Sequence, residues 1–355
     1  MRIAQIAPLY EAVPPKLYGG TERVVSFLTE ELVALGHDVT LFASGDSVTG
    51  AELDAVAPRA LRLDPSIRDA LAPHMLQLEA VRRRADEFDI MHFHMDYLPF
   101  SLFSRQHTPF VTTLHGRLDL PELKPIFKAF PHVPVVSISD SQRKPLPGAC
   151  YLGTVYHGLP AALLAPQERA KPEYLAFLGR IAPEKGPGNA IRIARACGIP
   201  LKMAAKVDRT DRPYFDSVIR PMLCDGGVEM VGEITDAEKP TFLSGAIALL
   251  MPIVWPEPFG LVMIEAMACG TPVIVFNRGS VPEIIDDGVT GTIVGDEVGA
   301  IAAVADLDHL SRKHVRARFM ARFTARRMAQ EYLTIYRNLI GKQGDRPAAR
   351  LAAAD

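Results

Sequence analysis

The sequence has few cysteines, almost no net charge and no long apolar run. Its 355 residues include four cysteines and one tryptophan, with 39 Lys and Arg against 41 Asp and Glu. No two cysteines form a C-x-x-C pair, which argues against a disulfide framework or a zinc site. A net charge of −2 argues against a dedicated nucleic-acid binder, because such proteins carry a strongly basic face. The hydrophobic fraction of 48% excludes disorder as the main state.

No segment has the pattern of a targeting peptide or a membrane span. The opening residues MRIAQIAPLYE meet proline and glutamate too early for a signal peptide. The most apolar stretch, residues 246–255, is too short to cross a bilayer. We therefore expect a cytoplasmic protein. Residues 312–327 hold seven Lys and Arg and no acid, which permits a weak contact with the inner face of a membrane. We favour the alternative that they form a solvated helix face.

Apolar strands alternate with amphipathic helices along the chain. The first unit is a strand at residues 2–7, a loop, a helix over about 21–35 and a strand at 37–43. This order implies a parallel sheet, and a second series of the same kind begins near Tyr174. Further strands of the first series are predicted at 89–94, 110–114 and 133–138. The strands predicted for the second series are 174–178, 201–205, 228–231, 247–253 and 272–276. The sequence therefore predicts two doubly wound α/β domains, which bind ligands at the carboxyl ends of their strands.

The domain limits follow from composition. Residues 151–172 contain three prolines and two glycines, which is typical of a linker. We predict a first domain at 1–165 and a second domain at 166–327. A helix at 328–342 is expected to pack back on the first domain, and 343–355 is expected to be a loose tail.

The segment 256–274, PEPFGLVMIEAMACGTPVI, joins a turn to a helix. The first amides of a helix have no intrahelical partner and carry a positive dipole, so the backbone of Phe259, Gly260 and Leu261 can bind a phosphate. Glu257 and Glu265 flank this turn. Carboxylates repel phosphate but accept hydrogen bonds from ribose and sugar hydroxyls. The pattern predicts a site for a nucleotide joined to a polyol.

Two cations follow the first strand of the second series. Arg180 and Lys185 lie in the loop GRIAPEKG, residues 179–186. Facing a diphosphate, they would neutralise the charge on a departing nucleotide. Fixed cations of this kind can replace a divalent metal, so we expect neither a metal nor another cofactor.

Two weaker motifs lie in the first domain. In YGGT, residues 18–21, Gly20 lets backbone amides approach an anion or a sugar, although the glycines also fit a simple turn. In TLHG, residues 113–116, His115 ends a strand and can bind a sugar hydroxyl or orient a reacting group. His92 and His94 alternate along a neighbouring strand, and we interpret both as core residues.

Together these motifs resemble a retaining glycosyltransferase of family 4. The resemblance covers nearly the whole chain and rests on RIAQIAP with GGTER, GRIAPEKG, the segment EPFGLVMIEAMACGTPVI and GSVPEIIDDGVTG. Glu257 and Glu265 match the family's Glu-x7-Glu signature. The resemblance implies the GT-B fold, in which two Rossmann-like domains face a cleft and a C-terminal helix crosses back to the first domain.

The resemblance also implies roles for individual residues. Glu265 is expected to bind the ribose, and Arg180 and Lys185 the diphosphate. Glu257 is expected to hold donor sugar hydroxyls or to lie near the anomeric carbon. The remaining implied positions are Gly20 near the diphosphate, His115 at the sugar, and Glu233 beside the base or ribose. Lys206 departs from the family, in which glycine is frequent there, and it either adds charge to the donor site or is exposed.

These expectations give one main hypothesis and several alternatives. The main hypothesis is metal-independent transfer of a hexose from a nucleotide-diphosphate sugar to a hydroxyl of a glycan, a lipid or a small molecule. The alternatives are a nucleotide-sugar epimerase or phosphorylase on the same scaffold, and a nucleotide-sugar-binding protein without turnover. A dinucleotide oxidoreductase is disfavoured, because no G-x-G-x-x-G follows the first strand.

Overall fold

The computed structural model describes residues 1–16 and 19–344, with side chains as far as residue 342. Tyr18 and, from residue 345, the predicted tail lie outside the described residues. The chain forms two compact units. Unit 1 comprises residues 1–137, 146–155 and the chain from Arg326, and unit 2 comprises 138–145 and 156–325. These units are defined by packing, and the functional domain limits at 165 and 327 stay a prediction.

Unit 1 is built on a seven-stranded parallel sheet in the order β3-β2-β1-β4-β5-β6-β7. The central strands are buried along most of their length, as expected for parallel strands covered on both faces. The strands are β1 Arg2–Ile6, β2 Asp38–Phe42, β3 Glu52–Asp54, β4 Ile90–Phe93, β5 Phe110–Leu114, β6 Pro134–Ser137 and β7 Cys150–Thr154. The helices are α1 Gly20–Ala34, α2 Leu71–Arg83, α3 Phe100–Phe103 and α4 Leu123–Ala129.

Unit 2 repeats this plan with six parallel strands in the order β10-β9-β8-β11-β12-β13. The strands are β8 Tyr174–Arg180, β9 Leu201–Lys206, β10 Val228–Gly232, β11 Ala246–Met251, β12 Val273–Phe276 and β13 Gly291–Val294. The helices are α5 Asp140–Arg143, α6 Pro187–Cys197, α7 Arg212–Tyr214, α8 Arg220–Leu223, α9 Lys239–Ser244, α10 Leu261–Ala268, α11 Val281–Ile284, α12 Glu297–Ala305 and α13 Arg312–Arg322. In both sheets the first strand in sequence is central, which is the doubly wound arrangement.

The last helix, α14, spans Ala325–Gly344, and its residues from Arg326 onward belong to unit 1. Tyr332 and Tyr336 are buried, and their hydroxyls bond to side chains of β1, β4 and β5. The predicted return of this helix to the first domain is confirmed.

The sequence does not predict three of the strands, namely β3, β7 and β13. All three lie at sheet edges and are largely half-buried. An edge strand is covered less completely than a central one, so it lacks the continuous apolar run that reveals a central strand. The segment 151–172, interpreted as a linker, therefore begins inside a strand.

The basic helix α13 is only in part the solvated face that we favour from its sequence. Arg312 donates to the carbonyls of Ser244 and Ala246, and Arg316 donates to backbone carbonyls that include Ala268 at the end of α10. Arg318 and Arg322 bond to Asp286. Lys313 and Arg318 are exposed, whereas Arg312, Arg316 and Arg322 are half-buried. Among the described helices, none is both long and apolar enough to span a membrane.

Candidate functional site

Two loops of unit 2 meet at the carboxyl ends of the neighbouring strands β8 and β11. The loop after β8 turns at residues 183–186 before α6 begins, and the loop after β11 runs over 252–260 before α10. The amide of Val254 donates to the Glu184 carbonyl at 3.0 Å, and Asn189 Nδ2 donates to the Pro252 carbonyl at 3.3 Å. The two loops are therefore bonded to each other.

Lys185 and Glu257 form the centre of this junction. Lys185 Nζ lies 2.5 Å from Glu257 Oε2, and the same oxygen accepts a hydrogen bond from Trp255 Nε1 at 2.8 Å. Lys185 Nζ also lies 5.1 Å from the centroid of the Trp255 ring, within cation–π range. The structure thus brings together a cation and a carboxylate that the sequence assigns separately to the diphosphate and the sugar.

Gly186 allows the loops to approach this closely. Its φ is +68°, and a Cβ there would lie 2.0 Å from the Pro252 carbonyl oxygen. Gly198, at the other end of α6, has φ +66°, and a Cβ added there would meet nothing within 4 Å. The two glycines share a backbone conformation and differ in the space around them.

We expect Gly186→Ala to destabilise the chain more than Gly198→Ala, as measured by urea unfolding. Gly198→Ala carries only the left-handed backbone penalty of about 1–2 kcal/mol. Gly186→Ala adds a clash with the Pro252 carbonyl and forces Lys185 away from Glu257. Equal unfolding free energies for the two variants would contradict this account of the loop junction.

Two serines donate hydrogen bonds to backbone carbonyls of the turn before α10. Ser139 Oγ donates to the Pro258 carbonyl at 2.6 Å, and Ser280 Oγ donates to the Phe259 carbonyl at 2.9 Å. The Phe259 ring is buried and lies 4.8 Å from the His157 ring, centroid to centroid. Phe259 can therefore serve a ligand only through its backbone. Gly260, with φ +83°, precedes the first residue of α10, Leu261.

Glu265 lies inside α10 and pairs with a lysine that the sequence analysis does not identify. Lys239 Nζ lies 2.6 Å from Glu265 Oε1 and 3.1 Å from Asp236 Oδ1. The side chains of Lys239 and Glu265 are only 8% and 5% exposed. A buried carboxylate is destabilising unless a partner of opposite charge is bonded to it, and Lys239 is that partner.

Arg180 and Lys206 lie side by side at the ends of β8 and β9, where they are register partners. Arg180 bonds to Glu184 at 2.7 Å and to Asp211 at 3.0 Å, and Lys206 pairs with Asp208 at 3.0 Å. Both cations are partly buried, so Lys206 is not simply exposed. Carboxylates thus accompany the cations that the sequence analysis assigns to a diphosphate.

The two remaining predicted donor residues, Glu233 and Gly20, are exposed. Glu233 is exposed and directly follows the edge strand β10. Gly20 is the exposed first residue of α1 in unit 1, and the Gly19 before it packs against Pro15. Within the described chain, no group of three or more His, Cys, Asp or Glu side chains is placed to hold a metal ion.

His115 follows β5 in unit 1. Its backbone amide donates to Asp96 Oδ1 at 3.3 Å, and its Nε2 lies 2.9 Å from His94 Nδ1. Burial lowers the pKa of His115 to about 3 and raises the pKa of Asp96 to about 6. His115 is therefore a neutral imidazole at physiological pH.

Two family models match the chain. Residues 165–322 match the model for Glycosyl transferases group 1, and residues 18–144 match the model for Glycosyltransferase Family 4. The predicted resemblance to glycosyltransferase family 4 is confirmed. Relatives include the D-inositol 3-phosphate glycosyltransferases of Mycobacterium bovis and Mycobacterium tuberculosis, which are 34% identical over 191 residues. That alignment covers 47% of this chain and only 38% of theirs, so the chain covers less than half the length of these relatives.

Solved structures share the fold over both units. AviGT4, a glycosyltransferase involved in avilamycin A biosynthesis, matches with a TM-score of 0.72 and 24% identity, covering 96% of this chain and 98% of that one. Sucrose-phosphate synthase from Thermosynechococcus elongatus matches with a TM-score of 0.76 and 21% identity, covering 96% and 99%. Anabaena HepE in complex with UDP and glucose matches with a TM-score of 0.73 and 16% identity, covering 95% of this chain and 99% of that one. These likenesses show the fold, and the GT-B prediction is confirmed.

Two residues that contact the family's signature glutamates are absent from the sequence prediction. Trp255 is the chain's only tryptophan and directly precedes the signature segment, so its position alone could have singled it out. Lys239 lies 26 residues before Glu265, in a segment rich in charged residues, and carries no comparable signal.

Proposed function

We propose that the chain transfers a hexose from a nucleotide-diphosphate sugar to an acceptor hydroxyl, with retention of anomeric configuration. The observation that carries this proposal is the pair of lysine-bound carboxylates on either side of the α10 turn. Each carboxylate is an acceptor for hydroxyls, and the turn between them offers backbone amides to a phosphate. A nucleotide-diphosphate sugar has both kinds of group in the required order.

The proposal assigns donor binding to unit 2. Glu265 accepts hydrogen bonds from the ribose hydroxyls, while Lys239 holds its carboxylate in place through the buried ion pair at 2.6 Å. Glu257 accepts from hydroxyls of the donor sugar. The groups of unit 2 assigned to the diphosphate are Arg180, Lys185, Lys206 and the backbone of Phe259, Gly260 and Leu261, and Glu233 is assigned to the nucleoside. Gly20, on unit 1, keeps only the assignment that the family resemblance implies.

The environment of Glu257 bears on how the sugar is transferred. A double displacement needs a free carboxylate nucleophile, but Glu257 Oε2 already accepts from Lys185 and Trp255. Two donors on one oxygen stabilise its negative charge and reduce its nucleophilicity. We therefore propose that the acceptor hydroxyl attacks on the face from which the diphosphate leaves. A diphosphate oxygen then takes the hydroxyl proton.

We expect transfer to proceed without a divalent metal. Lys185 and Arg180 would supply the positive charge that stabilises the leaving diphosphate. Turnover measured after treatment with EDTA should therefore equal turnover before it. Loss of activity with EDTA, and recovery on adding Mg²⁺ or Mn²⁺, would contradict this assignment.

Product analysis tests the proposed reaction. Purified protein would be incubated with UDP- and GDP-sugars and a panel of acceptors. The panel would begin with inositol 3-phosphate, because the mycobacterial relatives are named for it. We expect donor consumption that depends on acceptor, and an α-linked product from an α-linked donor by proton NMR. An epimerised donor, or binding without consumption across the panel, would instead support an alternative hypothesis.

A further inference from the structure

A buried chain of polar side chains joins α14 to the sheet of unit 1. Gln5 on β1 lies between Tyr336 and His94, with distances of 3.1 Å from Gln5 Nε2 to the Tyr336 hydroxyl and 2.9 Å from Gln5 Oε1 to His94 Nε2. His94 Nδ1 then lies 2.9 Å from His115 Nε2. Gln5, His94 and Tyr336 are at most 2% exposed. The chain thus runs from the C-terminal helix to His115.

The orientation of Gln5 assigns each proton along this chain. Gln5 Nε2 donates to Tyr336, so Gln5 Oε1 faces His94 Nε2, which must carry a hydrogen. A neutral imidazole carries one ring proton, so His94 Nδ1 is an acceptor when Nε2 carries the hydrogen. His115 Nε2 must therefore be the donor to His94. His115 is then the tautomer with its proton on Nε2 and a lone pair on Nδ1.

A second branch of the chain is consistent with the first. The Tyr336 hydroxyl accepts from Gln5, so its own proton points to His92 Nδ1 at 2.6 Å. His92 then donates from Nε2 to Thr113 Oγ1 at 2.7 Å, and Thr113 meets the Tyr332 hydroxyl at 2.8 Å. Burial lowers the pKa of His92 and raises the pKa of Tyr336, so both stay neutral. Every link is satisfied without charge.

We propose that His94, held by Gln5 and Tyr336, is a positioning residue that fixes the tautomer of His115 so that His115 meets the substrate only as a hydrogen-bond acceptor. Since Nε2 is committed to His94, any bond from His115 to substrate uses Nδ1. A lone pair at Nδ1 suits a sugar hydroxyl and repels a phosphate or carboxylate. This inference rests on the proposed function in so far as the substrate is a sugar.

Nitrogen-15 spectra of the histidine-labelled protein test the tautomer directly. Two-bond proton–nitrogen correlations distinguish a protonated ring nitrogen from a bare one. The chain has ten histidines, and the His115→Gln spectrum identifies the signals of His115. We expect a bare Nδ1 and a protonated Nε2. The opposite tautomer would overturn the proposal, whether or not the protein transfers sugar.

Matched variants test the positioning. Tyr336→Phe removes the hydroxyl that orients Gln5, and should give a mixture of His115 tautomers. Tyr332→Phe makes the same change one turn away, at the far end of the second branch, and should leave the tautomer unchanged. Identical His115 signals in Tyr336→Phe and wild type would overturn the proposal that Tyr336 and Gln5 act through His94 on the His115 tautomer.

Kinetics separate positioning from simple structural support. His94→Leu removes the acceptor for His115 Nε2, and we expect kcat to fall by about tenfold to a hundredfold with little change in donor KM. His94→Asn restores an acceptor oxygen near the position of Nδ1, and should recover much of the lost kcat. Wild-type kcat in folded His94→Leu, or no recovery in His94→Asn, would overturn the role of His94. If no variant and no wild-type protein shows transfer, the proposed function fails while the tautomer measurement still decides this inference.

Discussion

Lys239→Met is expected to lower the free energy of unfolding by about 3–5 kcal/mol. Lys239 and Glu265 are both more than nine-tenths buried and lie 2.6 Å apart, so the variant leaves Glu265 without the lysine that neutralises it. Removing one partner of a buried ion pair is far more damaging than removing an exposed one. Urea unfolding of the purified variant measures the effect.

Lys202→Met is the matched control for this change. Lys202 pairs with Glu229 at 3.1 Å, but the two side chains are 36% and 61% exposed. Its loss should cost less than about 1 kcal/mol. If Lys239→Met and Lys202→Met lower the free energy of unfolding equally, the account of Lys239 and Glu265 as a stabilising buried ion pair is contradicted.

A double variant separates stability from binding. Replacing a buried ion pair by apolar side chains of similar volume is often neutral or stabilising. Lys239→Met combined with Glu265→Leu should therefore recover much of the stability that Lys239→Met loses. It should still bind a nucleoside diphosphate at least about tenfold more weakly than wild type, because the proposed acceptor of the ribose hydroxyls is gone.

Lys185→Met is expected to reduce kcat by about 10²–10³-fold, the usual effect of removing one preorganised group that stabilises developing charge. Lys185 is only 20% exposed and is held between Glu257 and the Trp255 ring. A cation fixed in this way needs little reorganisation when the diphosphate departs. Steady-state kinetics with saturating donor measure the loss.

Lys202 again provides the control, because it too has a carboxylate partner and lies 4.8 Å from the centroid of an aromatic ring, that of Tyr174. Lys202→Met should keep wild-type turnover. A folded Lys185→Met protein with wild-type kcat would remove Lys185 from the mechanism.

The sequence predicts the central strands of both sheets well, because a strand covered on both faces must be apolar along its length. It identifies β5, Phe110–Leu114, residue for residue. The edge strand β3, Glu52–Asp54, has two acids in three residues and offers no such signal. The local sequence pattern therefore identifies the buried central strands and misses short strands at the sheet edges.

The site shows the same division between local and non-local information. The segment around Glu257 and Glu265 is contiguous, so its turn and helix are visible in sequence. The partners of these glutamates are not contiguous with them: Lys185 lies 72 residues from Glu257, and Lys239 lies 26 residues from Glu265. Sequence reasoning assigned Lys185 to an anionic substrate alone. Only the sheet order, which places β8 beside β11, brings it to Glu257.

Arginines on α13 illustrate why charge runs mislead. Arg312 and Arg316 stand in a basic, polar segment, yet their guanidinium groups satisfy backbone carbonyls elsewhere in unit 2. A long side chain can carry its charge well away from its own helix surface. The destination of such a group depends on the tertiary fold and not on its neighbours in sequence.

We propose that Glu265, held by Lys239, binds the ribose of a nucleoside diphosphate. The most direct test compares thermal unfolding with UDP and GDP against their 2′,3′-dideoxy analogues. The favoured ribonucleotide at about a hundredfold excess over its Kd should stabilise the fold by about 2.7 kcal/mol. The matching dideoxy analogue should bind at least about tenfold more weakly, since hydrogen bonds to a charged acceptor contribute about 1.5–3 kcal/mol. Equal stabilisation by the two forms, or none by either nucleotide, would contradict the claim.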